Sequence, residues 1–111
     1  MRERRKPPSV ARKVVFRDEA NAELNALYDY IAGEGSPDTA IGYVRRIRDA
    51  CMALAAFPER GRRRDDIAKG LRTIGFERRV TIAFRVFKTR VEIVTVAYGG
   101  RDLEGTLRKR K

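Results

Sequence analysis

The run Gly33-Glu34-Gly35-Ser36-Pro37-Asp38 closes one helix and opens the next. Glycine reaches the left-handed geometry of a helix C-cap, so Gly33 to Gly35 reads as a stop. Ser36 reads as an N-cap, Pro37 fits the first helical position because its missing N–H has no partner there, and Asp38 faces the positive end of the helix dipole. Upstream, Ala20, Leu24, Leu27, Tyr28 and Ile31 share one helical stripe, with Asp18 as the expected N-cap. Downstream, Ala40, Val44, Ile47, Cys51 and Leu54 form a second stripe that runs to Phe57-Pro58. Two such helices joined by about three residues fold back as an antiparallel hairpin.

Short β-branched and aromatic runs flank this hairpin. Lys13 to Arg17 reads as a strand before it. After the polar, turn-rich connector from Pro58 to Asp66 come Leu71 to Phe76, Arg79 to Phe87 and Val91 to Tyr98, joined at Glu77-Arg78 and Lys88-Thr89. The middle run puts Val80, Ile82, Phe84 and Val86 on one face and Thr81, Ala83, Arg85 and Phe87 on the other. The order β-αα-βββ predicts an α+β domain, with the antiparallel helix hairpin packed on one face of a small, mostly antiparallel sheet. Residues 13–104 are expected to form this single small domain, between a flexible basic N-terminal arm (1–12) and a basic C-terminal tail (105–111).

The chain has 111 residues, 26 Lys and Arg against 15 Asp and Glu, and no histidine, for a net charge of +11. The absence of His excludes Ser-His and Cys-His nucleophile pairs. One cysteine, Cys51, supports neither an internal disulfide nor a Cys/His zinc site, and its place in the helical seam marks it as a buried small hydrophobe. No metal and no cofactor is expected. No apolar run is long enough to span a membrane and no hydrophobic segment follows the basic start, so a cytoplasmic location is expected.

The charge is segregated. Residues 18–57 carry −4, whereas residues 1–17 carry +6, residues 58–100 carry +6 and residues 101–111 carry +3. Such asymmetry fits an anionic partner, either nucleic acid or an acidic protein surface. Arg62-Arg63-Arg64 is followed at once by Asp65-Asp66 and reads as a solvated loop, while Gly99-Gly100 lacks the strand-to-helix setting of a phosphate loop.

The strand, the helix hairpin, Leu54-Ala55-Ala56-Phe57-Pro58-Glu59-Arg60-Gly61, the opening Gly70-Leu71-Arg72 and the ending Tyr98-Gly99-Gly100-Arg101-Asp102 together resemble ParE/RelE-type toxins of type II toxin–antitoxin systems. The resemblance covers roughly residues 13–104, and its specificity lies in order and spacing, since Pro-x-x-Gly alone is only a turn. It implies a toxin wrapped by the C-terminal segment of a cognate antitoxin, ParD-like and acidic or amphipathic. ParE members are associated with DNA gyrase and plasmid stabilization, RelE members with cutting messenger RNA on the ribosome. The long hairpin and the Gly-Gly-Arg-Asp ending look more like ParE.

Cleavage of RNA through the ribose 2′-hydroxyl requires a base for that proton, cations for the transition state and an acid for the leaving oxygen. Without histidine, the candidate bases are Tyr98, Glu77, Glu92 and Asp102. A tyrosine base at neutral pH needs its pKa lowered by about three units, roughly 4 kcal/mol. Tyr98 sits at the end of the last strand, where the resemblance implies a polar aromatic or imidazole group in mRNA-cleaving relatives. A catalytic reading would combine Tyr98 with Arg72, Arg85 and Arg101, provided that Arg72 and Arg85 share the face away from the helices. The competing structural reading makes Tyr98 a core-edge residue with its hydroxyl at the rim.

Three functions therefore stand side by side: a non-catalytic inhibitor of gyrase, a ribosome-dependent endoribonuclease, and a basic nucleic-acid-binding module without toxicity. Contact candidates for target or antitoxin are Arg72, Arg78, Arg79, Arg85, Tyr98 and Arg101, with Arg45 and Arg46 from the exposed triplet that Arg48 completes.

Overall fold

The computed structural model describes residues 12–99 together with Leu103, Gly105 and Leu107. Strand β1 (Lys13–Phe16) leads into helix α1 (Asp18–Glu34), and α2 (Pro37–Met52) returns against it before a 3-10 turn at Ala53–Ala55. Strands β2 (Arg62–Arg63), β3 (Leu71–Phe76), β4 (Val80–Val86) and β5 (Arg90–Tyr98) follow. The sheet has five strands in the order β1-β5-β4-β3-β2. Only β1 is parallel, alongside β5. The α+β architecture, the β-αα-βββ order and the helix hairpin on one face agree with the sequence expectation.

The helix hinge differs in detail. Ser36 caps α2 as expected, its hydroxyl oxygen accepting the Thr39 N–H at 3.2 Å. Gly35, however, has φ −138°, outside the left-handed region, and its N–H donates to the Ile31 carbonyl. Helix α1 thus runs through Gly33 and Glu34, and Gly35 and Ser36 alone connect it to α2. At the other end Arg17 is the extended N-cap and Asp18 is the first helical residue. There its carboxylate still lies at the positive end of the dipole.

The connector supplies one unexpected strand. Arg62 and Arg63 pair antiparallel with Thr73 and Arg72. Gly61, at φ +79°, permits the approach, because an added Cβ would collide with the Thr73 carbonyl. Polar composition hid this strand, since an edge pairing uses backbone groups and needs no apolar side chain.

The main core lies between helices and sheet: Leu24, Leu27, Ile47, Cys51 and Leu54 meet Val80, Ile82, Phe84, Val91, Ile93 and Val96. Val80, Ile82, Phe84 and Val86, expected to share one face of β4, are all found in this core or packed on it. A register shift between Ala83 and Phe84, against Thr95 and Ile93, leaves Val94 as the extra residue of β5. This bulge changes which alternation of β5 faces the helices: Val91 and Ile93 do so before it, Val96 and Tyr98 after it. Glu23 of α1 anchors it, accepting the Thr95 hydroxyl at 2.7 Å and the Val96 N–H at 2.8 Å.

On the opposite face a smaller cluster joins Leu71, Ala83 and Val94 to Leu107, with Ile67, Ala68 and Leu103 packed on it. Leu103, Gly105 and Leu107 are helical, so packing extends past residue 104, where the sequence reading places the tail. Residues 1–11 of the expected N-terminal arm (1–12) lie outside the described residues; Arg12, the last residue of that arm, donates from Nε to the Phe87 carbonyl at 2.8 Å.

Candidate functional site

The end of the sheet where β5 stops, the β3–β4 turn and the tip of the helix hairpin together enclose an open groove of about 710 Å³. Tyr98 forms its floor. Its ring lies 6.1 Å from Tyr30 of α1 and 6.3 Å from Tyr43 of α2, the latter edge-on. Tyr43 also meets Phe76 of β3 at 6.2 Å. Such tilted and edge-to-face pairs satisfy the ring quadrupoles, so the rings support one another along the groove.

Arg46 and Glu77 close one side. The Arg46 guanidinium makes a two-pronged contact with the Glu77 carboxylate, Nε to Oε2 at 3.0 Å and Nη2 to Oε1 at 3.1 Å. This pair ties α2 to a strained turn, since Glu77 and Arg78 have φ of 49° and 66°. The Arg46 contact holds the Glu77 carboxyl below its ordinary range. A carboxylate so stabilised is a poor proton acceptor. Arg46 also lies over the Tyr43 ring at 5.3 Å. Burial, then the neighbouring Tyr98 and Glu77, push the Tyr43 hydroxyl above its ordinary value of 10.0, the wrong direction for a base at neutral pH.

Of the candidates read from the sequence, Tyr98, Arg46, Arg79 and Glu77 meet in this groove. Arg78 is exposed in the adjoining turn and Arg45 is exposed on α2. Arg48 lies over Phe16 at 5.1 Å. Arg101 and Asp102 lie outside the described residues.

Arg72 and Arg85 do not share a face. Arg72 is opposite Phe84, a helix-side core residue, and donates to the Arg60 carbonyl at 3.3 Å. Arg85 is opposite Leu71 of the second cluster and opposite Glu92. Strand alternation therefore puts them on opposite sides of the sheet. Tyr98 is opposite Val80 and Arg72 opposite Phe84, an offset of about 13 Å along β4 at a strand's rise per residue. Tyr98, Arg72 and Arg85 consequently do not converge on one phosphate.

Tyr30, Tyr43, Glu34 and Asp38 also line the groove, and none of them was read from the sequence as a site residue. Tyr43 and Arg46 are three residues apart on α2, a spacing that stacks neighbours on one helix face and offered a usable signal. Cys51 is fully buried and its thiol is pushed up to about 12, which keeps it un-ionised and inert at neutral pH. In the connector, Arg63 pairs with Asp65 and Arg64 with Asp66 at 3.0 and 2.8 Å, cancelling much of that charge run. Among the described residues no cluster of His, Cys, Asp and Glu is arranged for a metal, and no helix is long and apolar enough to cross a membrane.

Against known proteins, residues 14–103 match the model of the ParE toxin of the parDE type II toxin–antitoxin system. A solved chain of the chromosomal ParDE TA system from P. aeruginosa has the same fold, with a TM-score of 0.71 at 24% identity, over 81% of this chain and 98% of that one. No match was found among curated proteins. With the family model spanning strand β1 through Leu103, this chain belongs to the ParE toxin family of type II toxin–antitoxin systems.

Proposed function

We propose that this toxin arrests growth by binding DNA gyrase, without chemistry of its own, and that a cognate ParD-like antitoxin neutralises it in the cytoplasm. The observation that carries this reading is the strand register: Arg72 and Arg85 are on opposite faces, with Tyr98 displaced along the sheet from Arg72. RNA cleavage demands a base and cations around one phosphate, and these residues supply no such arrangement. Within the groove, Glu77 is engaged by Arg46 and the Tyr43 hydroxyl is pushed upward, so neither is suited to accept a proton at neutral pH.

Binding needs only a surface. Arg45, Arg78 and Arg79 are exposed, and a chain of +11 calls for an acidic or amphipathic antitoxin segment to cover it. Arg72, Arg85 and Arg101 belong to the same contact inventory, divided between the faces of the sheet and the C-terminal segment.

Purified toxin added to gyrase is expected to block supercoiling, while transcripts from arrested cells keep their ends. The Tyr98→Phe variant is expected to retain toxicity and antitoxin binding. Unimpaired supercoiling together with new transcript ends that Tyr98→Phe abolishes would restore the RelE-like endoribonuclease in place of this reading.

A further inference from the structure

The groove differs in charge from the chain that surrounds it. Glu34 and Asp38 are exposed on its helix-side rim, Arg46 and Glu77 offset each other, and Arg79 is the other cation of the lining. Helix α1 itself holds Asp18, Glu19, Glu23, Asp29 and Glu34 and no Lys or Arg, in a chain of net charge +11. Glu23 is committed to Thr95 and Val96, whereas Asp29 and Glu34 face solvent.

Beside the groove, and sharing Tyr30 and Tyr98 with it, lies a second recess of about 380 Å³ bounded by Ala22, Glu23, Ala26 and Leu27. Ala22 and Ala26 are one helical turn apart and exposed, so an incoming side chain can approach the helix closely. Tyr30, which joins the two recesses, is 56% exposed. Arg46 over Tyr43 already illustrates a guanidinium resting on a ring in this groove.

We infer that the groove and the alanine shelf form a docking site for a basic, amphipathic segment of a partner protein. Its apolar side chain rests on Ala22, Ala26 and Leu27. Its Arg or Lys lies against Tyr30 and Tyr98 and pairs with Glu34 or Asp38. Ring faces attract cations, and a carboxylate beside them strengthens the contact. An acidic segment would meet Glu34 and Asp38 of the lining as like charges, with Arg79 as the opposing cation on the far side of the groove from the alanine shelf's helix. This occupant is opposite in charge to the antitoxin segment expected over the arginines. The inference rests on the groove alone, so it stands or falls separately from the gyrase reading.

The test is a titration of the full chain with a short synthetic helical peptide of Leu, Ala and Arg, and with its Arg→Glu counterpart, followed by the tyrosine ring resonances in NMR. The Arg peptide is expected to shift Tyr30, Tyr43 and Tyr98 saturably, and the Glu peptide to leave them in place. Tyr30→Ala, at an exposed position, is expected to weaken binding about two- to fivefold, a loss of the size of one exposed cation–π contact. Glu34→Gln combined with Asp38→Asn is expected to weaken binding and to flatten its salt dependence. Equal binding of the two peptides, unmoved rings with the Arg peptide, or the same shifts on raising protein concentration alone would each overturn the proposal, the last by identifying a second copy as the occupant.

Discussion

The two faces of the sheet are built from the same strands and are closed in different ways. Toward the helices, Phe84, Ile82 and Ile93 meet two regular amphipathic helices and are fully buried. On the far side, Leu71, Ala83 and Val94 are covered by Leu107 and Leu103 and by Ile67 and Ala68, which follow the connector. Arg85 stands on that face, and its buried Nε lacks a hydrogen-bond partner among the described residues. Regular helices offer a continuous apolar stripe to the strands beneath them. The far face receives only a few apolar side chains, from helical Leu103 and Leu107 and from Ile67 and Ala68, and one polar atom there has no partner among the described residues, so this face is expected to contribute less per residue.

The sharpest way to break this contrast is truncation in each cluster. Phe84→Ala is expected to cost about 3–5 kcal/mol, the usual range for a fully buried aromatic, measured by urea unfolding. Leu107→Ala is expected to cost about 2 kcal/mol, at the low end for leucine because residue 107 retains 9% exposure. A Leu107 loss as large as that of Phe84 would make the two faces equals.

Arg85→Met sharpens the comparison from the other side. Removing a buried donor without a partner is expected to leave stability unchanged or raised by about 1 kcal/mol, read from the same unfolding curves. A clear destabilisation would show that Arg85 has a role in packing that its unpartnered Nε conceals.

The smallest expected effect concerns the groove and is seen in pH dependence. Glu77 is held below its ordinary value of 4.5 by its hydrogen bond with Arg46. Its stabilising contribution is therefore complete above that value and is lost as pH falls through the lower folded one. Melting temperatures of the parent and of Glu77→Gln are expected to converge as pH drops below about 4.5 and to separate slightly above it. Parallel profiles across that range would remove the ion pair from the stability of the β3–β4 turn.

Much of the fold was legible because it depends on repeating local patterns. The stripes from Ala20 to Leu54 gave both helices, and the alternation from Val80 to Val86 gave the core face of β4. Strand β2 was not legible, since Arg62 and Arg63 pair through backbone groups at a sheet edge. The helical Leu103, Gly105 and Leu107 lie in a short stretch beside basic residues, and too few positions repeat there to announce a buried face. The site was read in part. Tyr98, Glu77, Arg46 and Arg79 were each identified, but the grouping of Arg72 with Arg85 required a face assignment that only pairing supplies.

The sequence by itself determined the element order, the helix hairpin, the inert cysteine and the segregation of charge, because each follows from residue chemistry at short range. Only the tertiary structure decided where those charges stand relative to one another. Strand register put Arg72 and Arg85 on opposite sides, and the meeting of hairpin tip, turn and strand end gathered Tyr30, Tyr43 and Tyr98 around one groove. The physical reason is that a side chain's partners across a sheet, or from a distant helix, are set by long-range pairing, which no local spacing encodes.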